Sequence, residues 1–171
     1  ELVLDQPSAP LSGMPLEDRL FTLQVPPHQV KLEFTLNSGT LDVMVDAQPG
    51  SPPPATGTTG CFMLTPCVIE RPAGGTWYVR VRSRAAFTDR TLVAKVTAPL
   101  PLLNGVTVNG IAESFQGTYY RFDVPPGRTG LTFVTQGYTQ ADASLYVKRG
   151  ALPTNTDFDC ASTQSYSSYE R

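Results

Sequence analysis

The 171-residue sequence holds a single histidine, His28, and three cysteines, Cys61, Cys67 and Cys160. A serine or cysteine nucleophile needs a base beside it, and His28 is the one imidazole available. It follows Pro26-Pro27 at what reads as the tip of a hairpin, the place of a solvated turn residue. One histidine also excludes a His-rich zinc site. No Gly-x-Ser-x-Gly elbow, His-Glu-x-x-His pair or phosphate-binding Gly-rich loop occurs. Asp157 and Asp159 are two residues apart, so on a strand they share a face beside Cys160. That placement suits turn organisation better than a glycosidase pair. The chain therefore reads as non-enzymatic, with no catalytic residue.

Calcium needs about six to eight oxygen ligands, several from carboxylates. Asp42 with Asp46, and Asp142 with Asp157 and Asp159, are the available sets, and no spaced cation loop accompanies them. Solvated turn carboxylates are the better reading, so neither metal nor cofactor is expected. Cys61 and Cys67 are separated by five intervening residues in a turn-rich stretch, and Cys160 stands alone. Close cysteines in a loop-rich chain favour a disulfide and an oxidising compartment over buried free thiols.

The strongest binding signal is aromatic. Strand parity puts Tyr120, Phe122 and Val124 inside, which turns Tyr119 outward; the same parity turns Tyr78 and Tyr146 outward. Their basic neighbours include Arg121, Lys148 and Arg80. A tyrosine beside an arginine offers a flat amphipathic surface for a protein chain or a sugar ring. Tyr78, Tyr119, Tyr146 and Arg121 are the candidate binding residues, against the plainer reading of cross-strand pairs on a wet face.

Alternating segments must position these residues. Phe21, Leu23 and Val25 share a face, as do Val30, Leu32, Phe34 and Leu36. Leu41, Val43 and Val45 do likewise, and so do Trp77, Val79 and Val81, and Leu92, Ala94 and Val96. Breakers such as Pro26-Pro27, Pro52-Pro53-Pro54 and Gly74-Gly75 separate them. No helical period is sustained, so the expected class is all-β, built of small antiparallel, jelly-roll-like β-sandwich units. Charged residues are 16% of the chain and the net charge is −2, which leaves no broad basic field for nucleic acid. No segment approaches the roughly 18–20 apolar residues of a membrane helix. The start, Glu1-Leu2-Val3-Leu4-Asp5, lacks the basic n-region of a signal peptide.

The chain also repeats itself. Leu20-Phe21-Thr22-Leu23-Gln24-Val25-Pro26-Pro27 matches Tyr119-Tyr120-Arg121-Phe122-Asp123-Val124-Pro125-Pro126 at an offset of 99. Leu41–Val45 matches Ala143–Val147 at an offset of 102, and Cys61 meets Cys160. Two tandem units follow, over residues 1–98 and 99–171. The second lacks counterparts to Cys67 and to the two closing strands of the first. About 30 further residues would complete it by the repeat arithmetic, so the sequence reads as part of a longer chain. A continuation of the chain, a separately retained fragment, or an extra chain by strand exchange is the expected source of the missing strands, and of a partner for Cys160.

The second unit resembles the bacterial pre-peptidase C-terminal domain. The matching text is Gly117-Thr118-Tyr119-Tyr120-Arg121-Phe122-Asp123-Val124-Pro125-Pro126-Gly127, then Ala141–Gly150, then Leu152-Pro153-Thr154 through Asp159-Cys160. The first unit keeps the frame, including Gly75-Thr76-Trp77-Tyr78-Val79. The resemblance implies a β-sandwich appended to a secreted or cell-surface bacterial protein, without catalysis of its own. It would serve as an adhesion or accessory module for a secreted peptidase domain, or bind an extracellular protein or polysaccharide surface. The alternative is a removable pro-segment that restrains or stabilises a catalytic partner. The family's acidic pair is only half kept, as Asp42 in one unit and Asp142 in the other. Cys61 and Cys67 fall at the family's two-cysteine positions.

Overall fold

A computed structural model describes residues 1–37, 43–55, 61–62, 66–109, 117–137 and 142–171, without the side chains of 61 and 62. Asp42 and Leu41 lie outside the described residues, as does the side chain of Cys61. The protein is all-β, with no helix among the described residues. The chain divides into two compact units, Glu1–Pro99 and Leu100–Arg171.

In the first unit the period-two runs become strands β1 (Leu11–Gly13), β2 (Asp18–Val25), β3 (Lys31–Leu36), β4 (Val43–Pro49) and β5 (Cys61–Phe62). They continue as β6 (Cys67–Glu70), β7 (Gly75–Ser83), β8 (Phe87–Arg90) and β9 (Leu92–Thr97). A four-stranded sheet runs in the order β2-β7-β4-β5 and a three-stranded sheet in the order β6-β3-β9, each antiparallel throughout. β1 pairs with β8. Leu23, Val25, Val45, Trp77, Val79 and Val81 from the larger sheet share one core with Leu32, Phe34, Leu36, Leu92 and Ala94 from the smaller. This is a sandwich because each strand is apolar on one face and the two faces bury each other. Fully covering a side chain the size of Leu23 or Phe34 contributes about 1.5–3 kcal/mol.

The segment around His28 is not a hairpin tip. β2 and β3 belong to different sheets, so Pro26–Val30 carries the chain from one layer to the other. His28 takes a left-handed φ of 61° to make that crossing. Gly74 permits it: a Cβ there would lie 2.8 Å from the Cα of Pro27, closer than packed atoms tolerate. Trp77, just beyond, is buried and donates its indole N–H to the Ala73 carbonyl at 2.7 Å, which satisfies its polar edge.

The first eight residues form a strap across the open side of this sandwich. The Leu2 amide donates to the Thr22 carbonyl at 2.7 Å, on the outer edge of β2. A few residues on, the amides of Asp5 and Ser8 donate to the carbonyls of Ala94 and Leu92, on the outer edge of β9. Leu2 itself is buried in the core. One short segment thus occupies an edge of each sheet, and exposed edges are where sheets recruit foreign strands.

The second unit has shorter ladders. β10 (Leu100–Pro101) runs parallel to β11 (Tyr120–Arg121), and β12 (Leu145–Val147) pairs antiparallel with β13 (Cys160–Ser162). An isolated bridge joins Thr135 to Glu170. Glu170 is fully buried, and its carboxylate accepts from the Ser162 hydroxyl and from the Gln164 amide at 2.9 Å. Its oxygens thereby replace water as the partners of those donors.

Candidate functional site

On β7, Trp77, Val79 and Val81 face the core, so Tyr78, Arg80 and Arg82 project from the other face of the sheet. Strand alternation leaves such a face wet, but here it is covered. Arg80 and Asp46 are both buried, and the guanidinium donates to the Asp46 carboxylate through Nε at 3.0 Å and through a second nitrogen. Its remaining arm donates to the Pro54 carbonyl at 2.7 Å. Arg82 grips both carboxylate oxygens of Asp18 and donates to the Ala55 carbonyl at 3.0 Å. The hydrogen bond that Arg82 donates to Asp18, ahead of that carboxylate's charge, raises the pKa of Arg82 above the ordinary arginine value. Two arginines therefore hold the proline-rich segment against the sheet, with Pro53 buried. Charge that could have met a ligand is consumed in structure. Tyr78 remains half-buried, paired in register with Thr22 of β2 and Gln48 of β4.

Tyr119, Arg121 and Tyr146 all belong to the second unit, apart from Tyr78 in the first. Tyr119 and Tyr146 are half-buried, and Arg121 is exposed and ion-paired with Asp123 at 2.9 Å. The Tyr146 ring packs against Phe158, with centroids 5.4 Å apart. Beside it the Lys148 ammonium donates to Asp157, and that hydrogen bond raises the pKa of Lys148 above the ordinary lysine value. Asp159 accepts from the Arg149 amide at 2.7 Å. Asp157 and Asp159 lie in the loop before β13 rather than on a strand, and they organise that turn. Asp142 is exposed. No cluster of three metal-ligating side chains occurs among the described residues.

The inward parity of the second unit holds for one residue of three. Phe122 is half-buried, edge-on to Phe133 at 5.9 Å, whereas Tyr120 and Val124 are exposed. Leu131, Val134, Phe158 and Tyr169 are exposed as well, and Tyr166 is 93% exposed. Parity assigns a residue to a face, but only an opposing layer makes that face an interior.

Backbone geometry matches between the units at places the sequence comparison did not reach. The Leu102 amide donates to the Arg121 carbonyl at 2.8 Å, as the Leu2 amide does to Thr22. The Val106 amide then turns back to the Leu103 carbonyl, as the Gln6 amide does to Val3. Left-handed residues recur in step: Asp5 with Gly105, His28 with Gly127, and Gly50 with Gly150. The β12–β13 ladder corresponds to the β4–β5 ladder at the offset of 102: Val147 faces Cys160 as Val45 faces Cys61, and Tyr146 faces Ala161 as Met44 faces Phe62.

Cys160 is exposed and free, whereas Cys67 is buried and is not a free thiol. Among the described residues no helix is long and apolar enough to cross a membrane. No family model matches the sequence, and no curated protein matches it.

Proposed function

We propose that this chain is a non-catalytic accessory module of a secreted or cell-surface bacterial protein, of the pre-peptidase C-terminal kind its sequence resembles. The second unit is its binding half. One observation carries this reading: the first unit spends its buried charges on itself, while the second exposes Tyr120, Leu131, Phe158, Tyr166 and Tyr169 to solvent. Exposed aromatics in such number suit a contact surface better than a free one. The surface it meets is an extracellular protein or polysaccharide.

In this reading Cys61 and Cys67 are bridged, as suits an oxidising compartment. Cys61 sits on β5 beside Val45, in the four-stranded sheet, and Cys67 sits on β6 beside Phe34, in the three-stranded sheet. A bridge between them would staple the two layers together. Its loop is short, so its chain-closure contribution is on the order of 2–3 kcal/mol.

The test is retention of the purified 171-residue chain on insoluble protein and polysaccharide matrices, with Tyr166→Ala and Phe158→Ala as variants. Retention on one matrix that falls in the variants is the expected result. Passage through every matrix without delay would overturn it.

A further inference from the structure

At the end of β4 Gly50 takes a left-handed φ of 79° and donates its amide to the Thr76 carbonyl at 2.9 Å. The chain there doubles back, and residues 51–55 run over the outer face of the sheet they have just left. Three outward side chains receive them in order. Gln48 donates to the Ser51 hydroxyl at 2.6 Å and to the Pro52 carbonyl at 3.3 Å. Arg80 then takes the Pro54 carbonyl, and Arg82 takes the Ala55 carbonyl. These donors stand on successive outward rungs of β4 and β7: Gln48 with Tyr78, Asp46 with Arg80, Met44 with Arg82.

The conformation of the segment follows from its sequence. Proline fixes φ near about −65°, and a residue that precedes proline is pushed to an extended ψ. Ser51, Pro52 and Pro53 each precede a proline. Polyproline II results, a helix of three residues per turn with a rise of about 3.1 Å. At that rise Pro52 to Pro54 covers about 6 Å, close to the roughly 7 Å between the Gln48 and Asp46 rungs. Exposure fits the same helix. Pro53 is buried, whereas Ser51 and Pro52 before it and Pro54 and Ala55 after it are exposed. One edge of the helix thus lies on the sheet, and the other two face water.

We propose that residues 51–55 are a docking ridge for a protein domain with an aromatic-lined groove that reads polyproline II. Such a groove grips two adjacent edges of the helix and leaves the third outside. With three residues per turn, Ser51 and Pro54 share one free edge, and Pro52 and Ala55 share the other. The edge a groove has no use for is the edge the sheet holds. The clamps do not depend on the partner, because Arg80 is anchored by Asp46 and Arg82 by Asp18. Ordering of the ligand is complete before the partner arrives, which lowers the cost of binding. Exposed pyrrolidine rings stack on aromatic side chains and offer a sugar ring no N–H to bond. The ridge belongs to the first unit and is independent of the exposed aromatics of the second.

The probe is an SH3 domain selected by display on two free peptides, Gly-Ser-Pro-Pro-Pro-Ala and Gly-Ser-Pro-Ala-Pro-Ala. Tolerance of alanine at the middle proline ensures that it reads the edges the sheet leaves exposed. Binding to the 171-residue chain is measured by titration calorimetry. It is expected to be roughly tenfold tighter, or more, than binding to the first free peptide. Pro52→Ala and Pro54→Ala should each abolish that gain. Gln48→Ala, which releases the Ser51 end, should bring the affinity back toward that of the peptide. Unchanged emission from Trp77, the one tryptophan of the chain, reports that each variant is folded. An affinity no better than that of the free peptide, or one indifferent to Pro52→Ala and Pro54→Ala, overturns the ridge.

Discussion

Asp46 and Arg80 form an ion pair that water does not reach, on the sheet face that alternation would leave wet. The Pro54 carbonyl takes the third arm of the guanidinium, so the arginine is satisfied without solvent. Removing either partner alone strands a buried charge, which costs about 3–5 kcal/mol. Asp46→Ala and Arg80→Ala should each lower the urea midpoint of the first unit by that measure. The double variant should lose less than the sum of the two, as paired charges do in a double-mutant cycle. Additive losses would show that the two side chains act independently.

The strap makes a second prediction. Leu2 is buried and its amide closes the β2 edge. Leu2→Ala is expected to cost about 2–5 kcal/mol. It should also speed amide exchange at Asp5 and Ser8, which hold the β9 edge, before it does so at Val79 in the sheet centre. Uniform acceleration throughout the unit would mean that the strap is no separate element.

Lys148 gives the second unit a pH dependence with a definite sign. Its pKa is raised in the folded state by the hydrogen bond to Asp157. That stabilisation is therefore fully present below the ordinary lysine pKa, and is lost as pH rises through the higher folded value. The ring resonances of Tyr146 and Phe158 should be constant through neutral pH and move only in the alkaline range. Asp157→Asn should shift that transition to lower pH, and a transition that stays in place would remove the assignment.

Glu170 closes the end of the second unit by accepting from Ser162 and Gln164. Glu170→Ala removes the acceptor of both donors, half-buried Ser162 and exposed Gln164, at about 1–3 kcal/mol in all. Proton exchange at the Thr135 and Glu170 amides, which bond one another's carbonyls, should then approach that of an open chain. Retained protection would show that the bridge holds without the carboxylate.

The core of the first unit was legible in sequence, because period-two patterns put Leu23, Val25, Leu32, Phe34, Trp77, Val79 and Val81 on faces that do meet. The strap was not legible: Leu2 sits in a segment with no period, and its partner is a carbonyl some twenty residues along the chain. The Asp46–Arg80 pair escaped for the opposite reason. Alternation correctly sent both side chains away from the core, but it carries no information about a loop that comes back to cover them. In the second unit the same pattern placed Tyr120, Phe122 and Val124 inward, and of these Tyr120 and Val124 are exposed while Phe122 is half-buried against Phe133. The alignment of β4 with β12 at an offset of 102 was legible in sequence, and the ladders share it, with Val147 facing Cys160 as Val45 faces Cys61.

The proline segment held by Arg80 and Arg82 has a consequence for how the chain meets a protease. A protease must draw a stretch of chain into its cleft in extended form, and nicking concentrates where exposed loops can yield it. Pro52, Pro53 and Pro54 have no amide hydrogens to offer a cleft, and the carbonyls of Pro54 and Ala55 are already held by guanidinium groups. Peeling this segment away would uncover a buried ion pair, so the sheet resists its own digestion here. Residues 122–134 of the second unit, which belong to no ladder, carry no such protection. Limited proteolysis should therefore cut there first and release the first unit whole.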